Sequence, residues 1–266
     1  MAQIQNQIVW VTGATSGIGE ALVHALAKEG AKIILSARRV EELERVARES
    51  NLSADTYLIL PLDLARNDDY SAEVKKALDR FGRVDILINN GGVSQRSLAK
   101  DTKVSVDKEI MEINFFGTVS LTKALLPSML ANKSGMVVAI SSAVGKFGSP
   151  WRSGYSASKH ALHGFFDSLR AECYDDGLKV LIVCPGFIQT NVSINALTGS
   201  GAKNNSMDPA TAAGLTAPEA ARQIISAIRS DKEEVNVAGI KEKFGIWVKR
   251  HFPSIFSNMI RKMAVR

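Results

Sequence analysis

Val9-Trp10-Val11-Thr12-Gly13-Ala14-Thr15-Ser16-Gly17-Ile18-Gly19-Glu20-Ala21-Leu22 is the stretch on which the fold turns. The apolar run from Ile8 to Thr12 reads as a strand, and Gly17 to Glu29 as an amphipathic helix. Gly13 permits a tight exit from the strand. Gly17 and Gly19 remove side chains where a pyrophosphate would approach the backbone and the helix N-terminus. A glycine triplet alone is weak; on the first strand of an alternating β/α chain it becomes a nucleotide signal. The turn, with Thr15, Ser16 and Ile18 between its glycines, is the expected pyrophosphate seat.

Outward from there, β-rich runs alternate with helical ones. Strands are expected at Lys32–Ala37, Thr56–Leu60, Val84–Asn89, Met136–Ser141 and Lys179–Cys184, with a weaker one at Glu234–Val237. Helices are expected at Glu41–Glu49, Tyr70–Arg80 and Gly154–Cys173. Several strands are nearly continuous apolar runs, as when helices cover both faces of a sheet. The fold class is therefore α/β: one doubly wound parallel sheet of about seven strands. Residues 1–238 form the expected catalytic domain and 239–266 a basic amphipathic extension of it. The polar stretch 190–217 predicts a mobile lid, since so long a poorly hydrophobic segment is unusual inside a compact domain.

The chain has 266 residues, 45% of them hydrophobic, enough for a sizeable core. No run approaches the roughly 18 apolar residues of a membrane span. The first strand begins too early to leave room for a signal peptide, which predicts a cytoplasmic protein. Cys173 and Cys184 have neither disulfide-framework nor metal-ligand spacing, so buried thiols and no metal are expected. The formal charge of +6 lies wholly beyond Gly239, where seven Lys/Arg face Glu242 alone. The neutral body argues against general nucleic-acid affinity.

Tyr155 and Lys159 lie four residues apart, on one face if the segment is helical. An ammonium beside a phenol stabilises the phenolate, and a tyrosine of ordinary pKa about 10 is otherwise a poor acid-base catalyst at neutral pH. Ser142, just past a strand-like run, can offer its hydroxyl to the same substrate oxygen. Together these move a proton onto or off a carbonyl or alcohol oxygen. His160 and His163 read as packing residues.

The second strand ends in Ala37-Arg38-Arg39, where an NAD site would place an acid for the ribose hydroxyls. Cations there suit a 2′-phosphate, so NADP(H) is expected, with Arg38 the leading contact and Arg39 second. Asp63 and Leu64 are placed to meet the adenine edge, and Asn90-Gly91 lies beside the cofactor path. These are equally turn chemistry.

The ordered set TGATSGIG (12–19), NNGG (89–92), Asn114, ISS (140–142), YSASK (155–159) and Pro185-Gly186 resembles the short-chain dehydrogenase/reductase family across residues 5–235. NNGGVSQRSL and GYSASKHALHGFFDSLRAE look closest to its dehydrogenase/reductase member 7-like branch, whose relatives act on lipophilic carbonyls. The resemblance implies a Rossmann-like domain, a nicotinamide cofactor and an Asn114-Ser142-Tyr155-Lys159 catalytic set. Tyr155 would be the proton donor in reduction, and Lys159 would lower its pKa and bind the nicotinamide ribose. Asn114 would position a water, while Pro185, Gly186, Ile188 and Thr190 would wrap the nicotinamide. It also implies a small-molecule carbonyl or alcohol substrate and a homodimer or homotetramer. Gly91 departs from the family's usual alanine, a small-for-small change.

In the tail, Ile240, Phe244, Trp247 and Val248 fall at helical spacing, and Phe256, Met259, Ile260 and Met263 continue the stripe beyond Pro253. A basic helix of this kind suits a lipid headgroup region, the substrate mouth, another subunit or its own domain. NADPH-dependent carbonyl reduction leads. Reduction of a 3-oxoacyl thioester on an acyl carrier and a catalytically silent NADP(H) sensor are its rivals.

Overall fold

The computed structural model describes residues 3–65 and 69–262. Met263 and Arg266 of the tail lie outside them. In chain order the elements are β1 (Ile8–Thr12), α1 (Gly17–Lys28), β2 (Lys32–Ser36), α2 (Val40–Glu49), β3 (Tyr57–Ile59), α3 (Ser71–Phe81) and β4 (Ile86–Asn89). Next come α4 (Val104–Met111), a π-helical turn (Glu112–Phe116), α5 (Gly117–Ala131), β5 (Gly135–Ile140), α6 (Ser153–Glu172), β6 (Leu178–Pro185) and β7 (Ile188–Gln189). The chain continues through α7 (Pro209–Ala212), β8 (Leu215–Thr216), α8 (Ala217–Arg229), β9 (Glu234–Val237), α9 (Ile240–His251) and α10 (Pro253–Lys262).

Seven strands form one parallel sheet in the order β3-β2-β1-β4-β5-β6-β9. Alternation along each strand divides the core. Val9, Val11, Ile33, Leu35, Ile88 and Val138 pack beneath α1, α2 and α8. Trp10, Ile34, Leu87, Val137 and Ala139 face the side covered by α3, α5 and α6. Apolar residues at every strand position follow, because neither face meets water.

After β3 the chain returns to the middle and builds outward the other way, so the sheet reverses direction between β1 and β4. The loops leaving the C-terminal ends of these two strands diverge and open a crevice there, the usual ligand position of such a sheet. The glycine turn after β1 and Asn89–Gly92 after β4 form its rims.

The segment 190–217 makes polar contacts within itself and with the body. Leu197 pairs with Gln95 and Lys203, Asn204 donates to the Ser193 carbonyl at 3.0 Å, and Asp208 is buried in an ion-pair cluster. It is poor in large apolar residues, and hydrogen bonds and ion pairs hold it alongside the buried Ala196 and Leu197. The tail stripe, for its part, is split. Val248 and Phe256 are buried against Ala143 and Phe147, whereas Ile240, Phe244, Trp247, Phe252 and Ile255 remain exposed. Phe147 packs on Phe256, ring centroids 4.9 Å apart. Among the described residues no helix is long and apolar enough to cross a membrane.

Candidate active site

The first rim is the turn between β1 and α1. Gly13 and Gly17 take φ of +64° and +59°, the left-handed region that other residues adopt only with strain. A Cβ on Gly17 would stand 2.8 Å from Thr190 Cγ2, so Thr190 lies directly over the turn. Ser16, the residue preceding α1, is extended and makes no side-chain cap. The first amides of α1 therefore have no capping side chain, and they suit a pyrophosphate. Asn90 braces the turn by donating its side-chain amide to the carbonyls of Thr12 (3.0 Å) and Gly13 (3.2 Å). Thr12 Oγ1 in return accepts from the amides of Asn90 and Gly91.

Arg38 and Arg39 emerge exposed at the end of β2 on the same side of the sheet. Thr15 is buried, and its carbonyl accepts from Arg45. Ile188 is buried in the core beneath the crevice, and Ile18 is half-buried against it. Asp63 accepts the amide of Ala65 in a local turn, and Leu64 is wedged against Gly91 and Gly117. Pro185 O accepts from Ser142, and Gly186 is tied to Val237 and crowded by Ala238. The chain thus fits a dinucleotide at the phosphate end, with backbone donors and glycines where a close approach needs them.

Across the crevice the four expected polar residues converge. Tyr155 and Lys159 rise from α6, whose Tyr155 amide is capped by the side chain of Gln95 at 3.1 Å. Lys159 is almost wholly buried and donates from Nζ to the Ile140 carbonyl at 2.8 Å. Its Nζ lies 5.8 Å from the Tyr155 ring centroid. Asn114 occupies the π-helical turn between α4 and α5, a distortion that recurs at functional sites. Its side chain accepts the Val93 amide and donates to the Val93 carbonyl and to Ser158 Oγ. A Cβ on Gly92 would sit 2.9 Å from Asn114 Oδ1 and 3.6 Å from Lys159 Nζ, so that glycine holds open the space between them. Ser142 accepts the Val144 amide as a cap, and its hydroxyl also interacts with Tyr155.

The electrostatics depart from expectation. Burial raises the Tyr155 pKa, opposed first by Ser142 and then by Arg96 and Arg152. Lys159 directs its Nζ to the Ile140 carbonyl. Burial also lowers Lys159 itself to about 8. Arg96 and Arg152 were not anticipated. Both are buried, and both bond Asp208. Chain separations of 112 and 56 residues hid that pairing. The only hint was two arginines beside motifs already singled out.

His163 packs as expected, its Nε2 3.0 Å from Ser141 Oγ, with burial lowering it to about 4. His160 bonds the Ser156 carbonyl, off the catalytic face. Cys184 is buried and pushed up to about 12.

Residues 7–200 match the family model for short chain dehydrogenase. The chain belongs to the short-chain dehydrogenase/reductase family. A dehydrogenase/reductase SDR family protein 7-like of Anopheles gambiae is 46% identical, over 98% of this chain and 84% of the relative. The family's member 7B of Mus musculus is 41% identical over 99% and 83%. A short-chain dehydrogenase structure from Streptomyces avermitilis superposes with a TM-score of 0.80 at 29% identity, covering 97% of this chain and 96% of that one. Two more distant members share the fold. One from Burkholderia phymatum, in complex with NAD, has a TM-score of 0.84 at 20% identity and 96% coverage of both chains. One from Burkholderia cenocepacia, in complex with NADP, has 0.79 at 23%, covering 97% of this chain and 99% of that one. Membership makes the chain an oxidoreductase of the short-chain type acting on small molecules.

Proposed function

We propose that this short-chain dehydrogenase/reductase is an NADP(H)-dependent reductase of lipophilic ketones or aldehydes, reversible as an alcohol dehydrogenase. The observation that carries the reading is the convergence of Asn114, Ser142, Tyr155 and Lys159 beside a glycine-lined crevice at the switch point of the sheet.

Carbonyl reduction needs a hydride at carbon, which the reduced dinucleotide supplies when bound, and a proton at oxygen, which this chain supplies. Ser142 Oγ holds the carbonyl oxygen, and Tyr155 Oη gives it the proton. In oxidation Tyr155 takes the proton back. Lys159 would bind the nicotinamide ribose and return a proton towards Tyr155, with Asn114 ordering a water behind it. Thr190, Gly186 and the backbone at Ile188 would hold the nicotinamide end. Holding the reacting groups in line lowers the entropic part of the barrier. Arg38 and Arg39 favour NADP(H), since a 2′-phosphate would sit at the end of β2 where an NAD site carries an acid.

A panel of ketones, aldehydes, steroids and acyl thioesters, followed by NADPH absorbance, tests the reaction. Tyr155→Phe should abolish turnover and keep cofactor binding; undiminished turnover refutes the scheme. The kcat/KM ratio for NADPH over NADH should favour NADPH and fall in Arg38→Ala. A wild-type preference for NADH overturns the cofactor assignment.

The exposed Phe244, Trp247, Phe252 and Ile255, flanked by Lys243, Lys249 and Arg250, further suit a peripheral contact with anionic lipid. Co-sedimentation with anionic vesicles should weaken in Phe244→Ser/Trp247→Ser. Equal sedimentation of both proteins sinks the contact.

A further inference from the structure

Tyr155 stands in the first turn of α6, where a backbone N–H has no carbonyl of its own helix to reach. Arg152, the residue before the helix, makes no side-chain cap. Gln95 supplies the missing acceptor from 60 residues away: its Oε1 takes the Tyr155 N–H at 3.1 Å. The Tyr155 carbonyl accepts from Ser158 Oγ at 2.8 Å. The backbone of this tyrosine is therefore held at both its polar groups by side chains that are completely buried.

The two holders belong to one closed circuit. Ser158 Oγ accepts from Asn114 Nδ2 at 3.0 Å. Asn114 in turn accepts the Val93 N–H at 2.8 Å and donates to the Val93 carbonyl at 2.9 Å. Val93 lies two residues before Gln95, so the path returns to where it began. The loop after β4 thus grips Tyr155 from one side through Gln95 and from the other through Asn114 and Ser158.

Gln95 is itself locked. Its Nε2 faces the hydroxyls of Ser97 (3.3 Å), Thr102 (3.0 Å) and Ser153 (3.3 Å), which leaves Oε1 turned to the helix. Its chain neighbours are fixed through their backbone. The Leu197 N–H donates to the Ser94 carbonyl at 2.9 Å, and the Arg96 N–H to the Leu197 carbonyl at 2.8 Å. A Cβ on Gly154 would meet Asp107 and stand 3.3 Å from Gln95 Oε1, so this glycine lets the amide oxygen close on the first turn. A phenol moves with the backbone that carries it, and a shift of about 1 Å at reacting atoms costs on the order of a hundredfold in rate.

We propose that Gln95 and Ser158 are positioning residues for proton transfer: by holding the N–H and the C=O of Tyr155, they fix where its phenol stands relative to Asn114 and Lys159. This rests on the reductase reading for its effect on turnover; the placement of the ring is readable without it. Bonds that merely stabilised the helix start would raise the melting temperature and leave the ring where it is.

The test labels the full chain with 3-fluorotyrosine and records the fluorine resonances of Tyr57, Tyr70, Tyr155 and Tyr174, with Tyr155→Phe assigning that of Tyr155. Gln95→Met and Ser158→Ala should each shift or broaden the Tyr155 resonance and leave the other three in place. Gln95→Glu keeps an oxygen for the amide in either protonation state and should restore the wild-type line. With whichever substrate is turned over, kcat should fall about tenfold or more in Gln95→Met and Ser158→Ala, while KM for NADPH stays within about twofold. Gln95→Glu should regain the rate. If nothing is turned over, the reductase reading fails and the resonances alone decide the proposal. Should Gln95→Met fail to fold, Ser158→Ala decides. An unmoved Tyr155 resonance in the folded variants, or an unchanged kcat, overturns it.

Discussion

Lys159 reaches from α6 to the last residue of β5, where its ammonium donates to the Ile140 carbonyl at 2.8 Å. That bond carries a charge into the interior, and burial brings its pKa down to about 8. Between that value and the ordinary 10.5 the unfolded chain holds more protons at this site than the native one. Stability therefore gains from this group as pH rises through that window. Lys159→Met should remove the gain, seen as a flatter pH dependence of the urea midpoint, and lower kcat by about 10²-fold or more.

His163 gives the acid side. Burial holds it neutral to about pH 4, whereas the unfolded imidazole protonates near 6.5. Native stability should fall as pH drops from 6.5 towards 4, by up to about 3 kcal/mol. His163→Gln should lose that slope in a series of denaturation curves.

Gly92→Ala puts a methyl 2.9 Å from Asn114 Oδ1 and 3.6 Å from Lys159 Nζ. One of these groups must yield by a fraction of an ångström. Steady-state kinetics should show kcat down roughly tenfold to a hundredfold. NADPH affinity, measured by fluorescence quenching, should change less.

Gly17→Ala meets both a left-handed φ of +59° and Thr190 Cγ2 at 2.8 Å. A stability loss of about 1–2 kcal/mol is expected from the backbone alone. NADPH titration should show weakened binding.

In the tail, Phe256→Ala should cost about 3 kcal/mol, since it empties a buried contact with Phe147. Exposed Phe244→Ser should stay within about 0.5 kcal/mol. Thermal melts of both variants separate the docked face from the open one.

The seven strands were legible because β1, β4 and β5 are apolar at nearly every position, which only a sheet covered on both faces requires. β1 and β9 fall where expected, and the other five differ by one or two residues at their ends. Tyr155, Lys159, Ser142 and Asn114 were legible through order and spacing. The polar contacts of the segment 190–217 were not legible in its low hydrophobicity. Ser193, Asn204 and Asp208 hold it through polar bonds whose partners lie outside the segment or across it.

Local pattern alone determined which residues become strands, where the glycine turn falls, and that Tyr155 and Lys159 share a helix face; the family resemblance added Asn114 to the set. Periodicity and backbone sterics act over a few residues and are written in neighbouring letters. Only the folded chain decided that Asp208 joins Arg96 and Arg152, that Lys159 turns to Ile140, and that half the tail stripe stays in water. Charge pairing and desolvation depend on distance in space, and chain order does not encode that distance.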